Sequence, residues 1–107
     1  MNVDPCSKTL VTLPREKAFY FFTSIGNYTG INALSLKEFV KKIGEVNVKS
    51  LEFHVCRGDF EKWISDVLQD SDLASEMRKL QRLNLTGEDL RSQLSLAASR
   101  RLENLAV

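Results

Sequence analysis

Gly58-Asp59 stands between two stretches whose apolar residues recur at helical spacing, and no other feature constrains the fold of this chain so tightly. Upstream, Val48, Leu51 and Val55 fall on one helical face behind Asn47, a residue suited to cap a helix N-terminus. Downstream, Phe60, Trp63, Ile64, Val67 and Leu68 form the cleanest amphipathic stripe in the sequence. Glycine enters the left-handed conformation that ends a helix without a Cβ penalty, and aspartate accepts N–H bonds at the start of the next helix. The pattern predicts two helices meeting at a corner, with Gly58 as the stop and Asp59 as the N-cap.

Further helices follow from the same rules. Ser35-Leu36-Lys37-Glu38 is a capping box, Leu36, Phe39, Val40 and Ile43 supply the apolar face behind it, and Gly44 is a plausible end. Asp70 or Ser71 opens a helix carrying Leu73, Met77 and Leu80. Thr86-Gly87-Glu88-Asp89 introduces a last one carrying Leu90, Leu94, Ala97, Ala98, Leu102 and Leu105. Ala18 to Ile25 instead concentrates aromatic and β-forming residues and predicts a strand. Gly26-Asn27 is expected to close a two-residue hairpin, with Tyr28 to Ala33 returning. Alternation puts Phe19, Phe21, Thr23 and Ile25 on one face and Tyr20, Phe22 and Ser24 on the other, so both faces call for cover. Residues 1–17 hold both prolines and read as an extended arm; residues 18–107 read as one domain. The fold class is α+β, mainly helical, an N-terminal β-hairpin packed on about five short helices.

With 107 residues the chain can bury one modest core, and a net charge of +1 gives no global pull toward nucleic acid or anionic membrane. The longest apolar run, Ala18 to Phe22, is far short of the roughly 20 residues of a membrane helix. The N-terminal residues lack the basic and apolar regions of a secretory signal. Cys6 and Cys56, without CxxC spacing, read as reduced thiols of a cytoplasmic protein, although a Cys6–Cys56 bridge is open in an oxidising setting.

Charge is segregated locally. Asp59, Glu61, Asp66, Asp70, Asp72 and Glu76 make an acidic stretch relieved by Lys62, and Arg78, Lys79, Arg82, Arg91, Arg100 and Arg101 make the C-terminal third basic. These faces either stay solvated and pair with each other, or form a basic groove for an anion, an acidic partner or RNA.

His54 is the only histidine, so no His-rich metal site exists, and no HExxH spacing or cofactor fingerprint is present. No metal and no cofactor is expected. As a base, His54 needs an orienting carboxylate and a nucleophile. Asp59 is near in sequence, whereas Glu52 projects to another helix face. The structural expectation for His54 is a hydrogen bond near the Gly58 turn; the functional ones are binding, pH sensing or catalysis. Arg57-Gly58-Asp59 spells an integrin tripeptide, but all three have local helix-end roles. Gly26-Asn27-Tyr28-Thr29-Gly30 lacks a phosphate-loop ending, which leaves Asn27 and Tyr28 as recognition residues at a hairpin tip. Tyr20, Phe22 and Tyr28 have the chemistry to stack bases, but core packing explains them without a ligand. Trp63 is expected in the core, and Cys56 is reactive only if it is exposed near positive charge.

Residues 19 to about 105 resemble a family of small, largely archaeal prokaryotic proteins of unknown function. The likeness rests on Phe19-Tyr20-Phe21-Phe22-Thr23, Gly26 to Gly30, Ser35 to Phe39, Ser50 to His54 and Arg57 to Ile64. A similar segment attached to larger enzymes implies an accessory or regulatory module, and no functional residue carries over. The first expectation is a non-catalytic intracellular interaction or regulatory module, with a protein partner or a homo-oligomer, using Asn27, Tyr28, His54, Arg57 and Asp59. The alternatives are nucleic-acid binding through the six basic C-terminal residues, and a small ligand-binding protein or enzyme centred on His54.

Overall fold

The computed structural model describes residues 12–106. It is an N-terminal antiparallel hairpin followed by five helices. The described end of the expected arm is pinned to the domain. Leu13 N–H donates to Leu34 O at 2.6 Å, and residues Arg15–Lys17 make one 3₁₀ turn behind Pro14. Lys17 O accepts the indole N–H of Trp63 at 2.8 Å, so the aromatic stripe holds the chain's entry into the sheet.

Strand β1 (Phe19–Ser24) pairs with β2 (Asn27–Ala33), which places Ile25-Gly26 in the turn. This differs by one residue from the expected Gly26-Asn27. Gly26 takes the positive φ of +80°, and Asn27 joins the strand opposite Ser24, its amide donating to the Thr23 hydroxyl. The register also shifts along the ladder. Gly30, at φ +86°, bulges β2, and the Thr29 hydroxyl fills the gap by donating to Phe21 O at 2.7 Å and accepting Ile31 N–H at 3.1 Å. Ile25 lies in the turn beyond the end of β1 and so separates from its expected neighbours: Phe19 and Phe21 are buried, whereas Ile25 is 83% exposed at the tip.

Helix α1 (Leu36–Ile43) begins at Ser35, whose hydroxyl accepts Glu38 N–H, while the Glu38 carboxylate accepts Leu34 N–H. Helix α2 (Val48–Arg57) is capped by Asn47 and ends at Gly58, which is left-handed at φ +73° as its position demands. Helix α3 (Asp59–Trp63) starts at once and widens into a π turn over Ile64–Leu68. The expected N-cap role of Asp59 is not observed, because its carboxylate turns back toward α2. Helix α4 (Ser71–Arg82) is capped by Asp70, and helix α5 (Gly87–Ala106) packs across α1, α2 and α4. At the start of α5 the Gly87 N–H goes to the Glu52 carboxylate of α2 at 2.7 Å.

The core is aromatic where the hairpin meets the helices. Phe19 lies edge-on to Phe21, Phe39 and Trp63, with centroids 4.9, 5.9 and 5.5 Å apart, and Phe60 closes the group. Leu90, Leu94 and Ala98 extend the core along α5. Among the described residues no helix is long and apolar enough to cross a membrane.

Candidate functional site

The corner between α2 and α3 lies against the outer edge of β1, and His54 is the side chain that joins them. It sits one turn before Gly58, on the face of α2 that packs on β1, and is only 4% exposed. The backbone N–H of Phe22 donates to Nε2 at 2.9 Å, and Nδ1 lies 2.8 Å from Asp59 Oδ2. An acceptor at Nε2 and a carboxylate at Nδ1 assign the neutral tautomer with its proton on Nδ1. The left-handed turn at Gly58 brings Asp59 back within reach of a ring five residues earlier. That explains why the carboxylate serves His54 and leaves the α3 N-terminus without a side-chain cap.

The same Asp59 oxygen accepts the Arg57 Nε–H at 3.1 Å, and the guanidinium lies over the Phe53 ring, 5.2 Å from its centroid. Phe19, Phe53 and Phe60 surround the imidazole with centroids 4.8, 5.0 and 5.5 Å away. Burial among these rings pushes the His54 pKa below its ordinary value. The hydrogen bond and charge of Asp59 oppose that shift, and Arg57 adds slightly to it. Both ring nitrogens are therefore engaged inside the fold, and the ring is neutral near neutral pH. This chemistry ties a strand to a helix corner; it offers no free nitrogen to a substrate.

Above the ring the corner opens into a cleft of about 400 Å³. One wall is β1 and the hairpin tip, including Tyr20, Phe22 and Ile25; the other carries Phe53, Arg57 and Lys62. The expected residues His54, Arg57 and Asp59 thus converge on one place. Tyr28 lies on the outer face of the hairpin, its ring 5.7 Å from Tyr20 and 5.4 Å from Phe22, and it is 42% exposed. Tyr20 in turn donates its hydroxyl to Arg15 O at 2.7 Å, which covers part of that face. Asn27 is exposed, but its amide is engaged with Thr23 inside the hairpin.

Lys62, Phe53 and Ile25 belong to the cleft and were not singled out from sequence. A signal existed for two of them. Lys62 interrupts an otherwise acidic stretch, and a β-branched residue beside a turn glycine is an unusual choice for a solvent-facing tip.

The basic residues of the C-terminal third are largely engaged. Arg78 pairs with Glu61 at 2.7 Å and Lys79 with Glu76 at 3.2 Å. Arg91 pairs with Glu88 and also donates to Ile43 O and Val46 O at 2.7 and 2.8 Å, closing the end of α1. Arg101 reaches the buried carboxylate of Asp70 at 2.7 Å. Arg82 and Arg100 are exposed, the first beside a hollow shared with Cys56, the second on a groove between α4 and α5. Cys56 is itself exposed, and Cys6 lies outside the described residues. Among the described residues no three His, Cys, Asp or Glu side chains gather closely enough to hold a metal ion.

A family model described as a family of unknown function, DUF5752, matches residues 6–99. No curated protein and no solved structure matches the chain.

Proposed function

The chain belongs to DUF5752, a family of unknown function, and we propose that it is a non-catalytic, intracellular interaction module that docks a protein partner at the hairpin tip and the α2–α3 corner. One observation carries this reading: an open cleft with an exposed apolar lip lies directly over a histidine whose two nitrogens are already bonded. A catalytic reading centred on His54 would need a nitrogen free to take a proton from a substrate, and a ligand-binding reading would need one free to contact the ligand. Here Nε2 holds a backbone N–H of β1. The exposed thiol of Cys56 suits a reducing compartment.

Nucleic-acid binding through Arg78, Lys79, Arg82, Arg91, Arg100 and Arg101 has less support, because four of the six are ion-paired within the fold. That reading requires an affinity for RNA or DNA that collapses as salt rises.

The docking reading is tested by comparing co-purifying proteins for wild type, Ile25→Asp and a control change on another exposed apolar side chain, Leu96→Asp. Sedimentation of the pure protein at rising concentration tests for a second copy as the partner. A specific partner, or self-association, is expected to be lost with Ile25→Asp and kept with Leu96→Asp. Interactions indifferent to Ile25→Asp would overturn the assignment.

A further inference from the structure

The electrostatics of the cleft go further and describe the partner. From the placement of its charges we infer that the cleft takes an extended segment of a partner protein in which an acidic side chain stands beside apolar ones; this rests on the docking reading above. The ionisable groups on the cleft are His54, Asp59, Arg57, Lys62 and the Tyr20 phenol. His54 is neutral, and Asp59 is already compensated, its Oδ2 accepting both His54 Nδ1–H and Arg57 Nε–H. Arg57 is half exposed, and contact with Asp59 uses only one of the five N–H donors of its guanidinium. Lys62 is exposed, with no ion-pair partner among the described residues. The cleft therefore carries surplus positive charge on its helical wall and aromatic and aliphatic surface on its strand wall. A carboxylate beside an apolar side chain complements both walls at once.

The occupant is a polypeptide segment because of the extent of the surface. The strand wall runs from Tyr20 to Ser24, roughly 13 Å at the rise of a β-strand, and continues into the turn at Ile25-Gly26, enough for about four extended residues. Ile25 stands at the end of that wall, past the last residue of β1, and its exposed side chain extends the apolar surface along the chain direction. A neutral segment would leave the Lys62 ammonium and the unused donors of Arg57 without a complement, and a basic one would add like-charge juxtaposition, which disfavours binding.

The test pans a library of short random peptides against the immobilised full chain, with Ile25→Asp and Lys62→Glu as parallel baits. Both side chains are exposed, so the Trp63 fluorescence of the folded core should stay unchanged and verify each bait. Enriched peptides are expected to combine Asp or Glu with neighbouring Leu, Ile, Phe or Trp. Their affinity should fall about tenfold or more on either substitution and weaken with salt. Enrichment of basic or uncharged peptides that bind Lys62→Glu equally well, yet still lose Ile25→Asp, would overturn the acidic chemistry and leave the docking surface standing. Enrichment of nothing that separates wild type from Ile25→Asp would overturn both.

Discussion

Protonating His54 requires the Nε2 lone pair that accepts the Phe22 N–H, so the charged ring cannot keep the bond that ties β1 to the corner. Burial already favours the neutral form, which lowers the folded-state pKa below the ordinary 6.5. The sign of the linkage follows. Between the folded value and the unfolded value, the unfolded chain binds more protons, so stability rises with pH there. The contribution is fully present above the unfolded value of about 6.5 and is lost as pH falls through the lower folded value. The urea midpoint of wild type is expected to be nearly flat at neutral pH and to drop on acidification. His54→Gln keeps an amide that can accept Phe22 N–H and donate to Asp59 but cannot titrate, so its curve should fall less steeply. Equal slopes for the two proteins would remove His54 as the titrating group. The ring matters for packing as well. His54→Ala leaves the Phe22 N–H without its partner and a gap among Phe19, Phe53 and Phe60, and a loss of about 2–4 kcal/mol is expected from chemical denaturation.

Within the hairpin, two residues form the bulge in β2. Thr29 bridges Phe21 O and Ile31 N–H through one hydroxyl, and Gly30 supplies the positive φ that makes the bulge possible. Thr29→Val keeps the shape and removes both bonds, so a loss of about 1–3 kcal/mol is expected. A Cβ at Gly30 would meet no atom within 4 Å, so Gly30→Ala costs only the backbone strain of a left-handed residue, about 1 kcal/mol. Denaturant midpoints measure both; a neutral Thr29→Val would show that the bulge is held by something other than its hydroxyl.

At the scale of the whole molecule, the C-terminal helix closes the domain with charged groups as well as leucines. Asp70 is 2% exposed, caps α4 through Leu73 N–H and pairs with Arg101 from α5. Removing the cation strands a buried carboxylate, so Arg101→Met is expected to cost about 3 kcal/mol, whereas Arg100→Ala on the exposed side should stay within about 0.5 kcal/mol. Arg91 has a comparable structural duty at the carbonyls of Ile43 and Val46. A change in nucleic-acid affinity in Arg91 or Arg101 variants would therefore be confounded with stability, and Arg82 and Arg100 are the informative positions. Comparable thermal midpoints for Arg101→Met and Arg100→Ala would contradict this division of roles.

Much was legible in the chain itself because it is local. Helix starts at Ser35, Asn47 and Asp70 and the stop at Gly58 follow from side chains that bond their own neighbouring backbone, and the stripe from Phe60 to Leu68 follows from helical periodicity. The convergence of His54, Arg57 and Asp59 was legible for the same reason, since all lie within six positions of one another. Tertiary structure decided the rest. Asp59 left its expected cap for a histidine that the Gly58 turn swung toward it, and the hairpin closed at Ile25-Gly26 and left Ile25 exposed in the turn. Arg91 and Arg101, read as candidate phosphate contacts, found their partners 48 and 31 positions away. The two arginines depend on groups distant in sequence, and Asp59 shows that even near neighbours, the α3 N-terminus and the His54 ring, compete for one carboxylate. Sequence alone states which bonds a residue can make, and only packing decides which of the competing partners takes them.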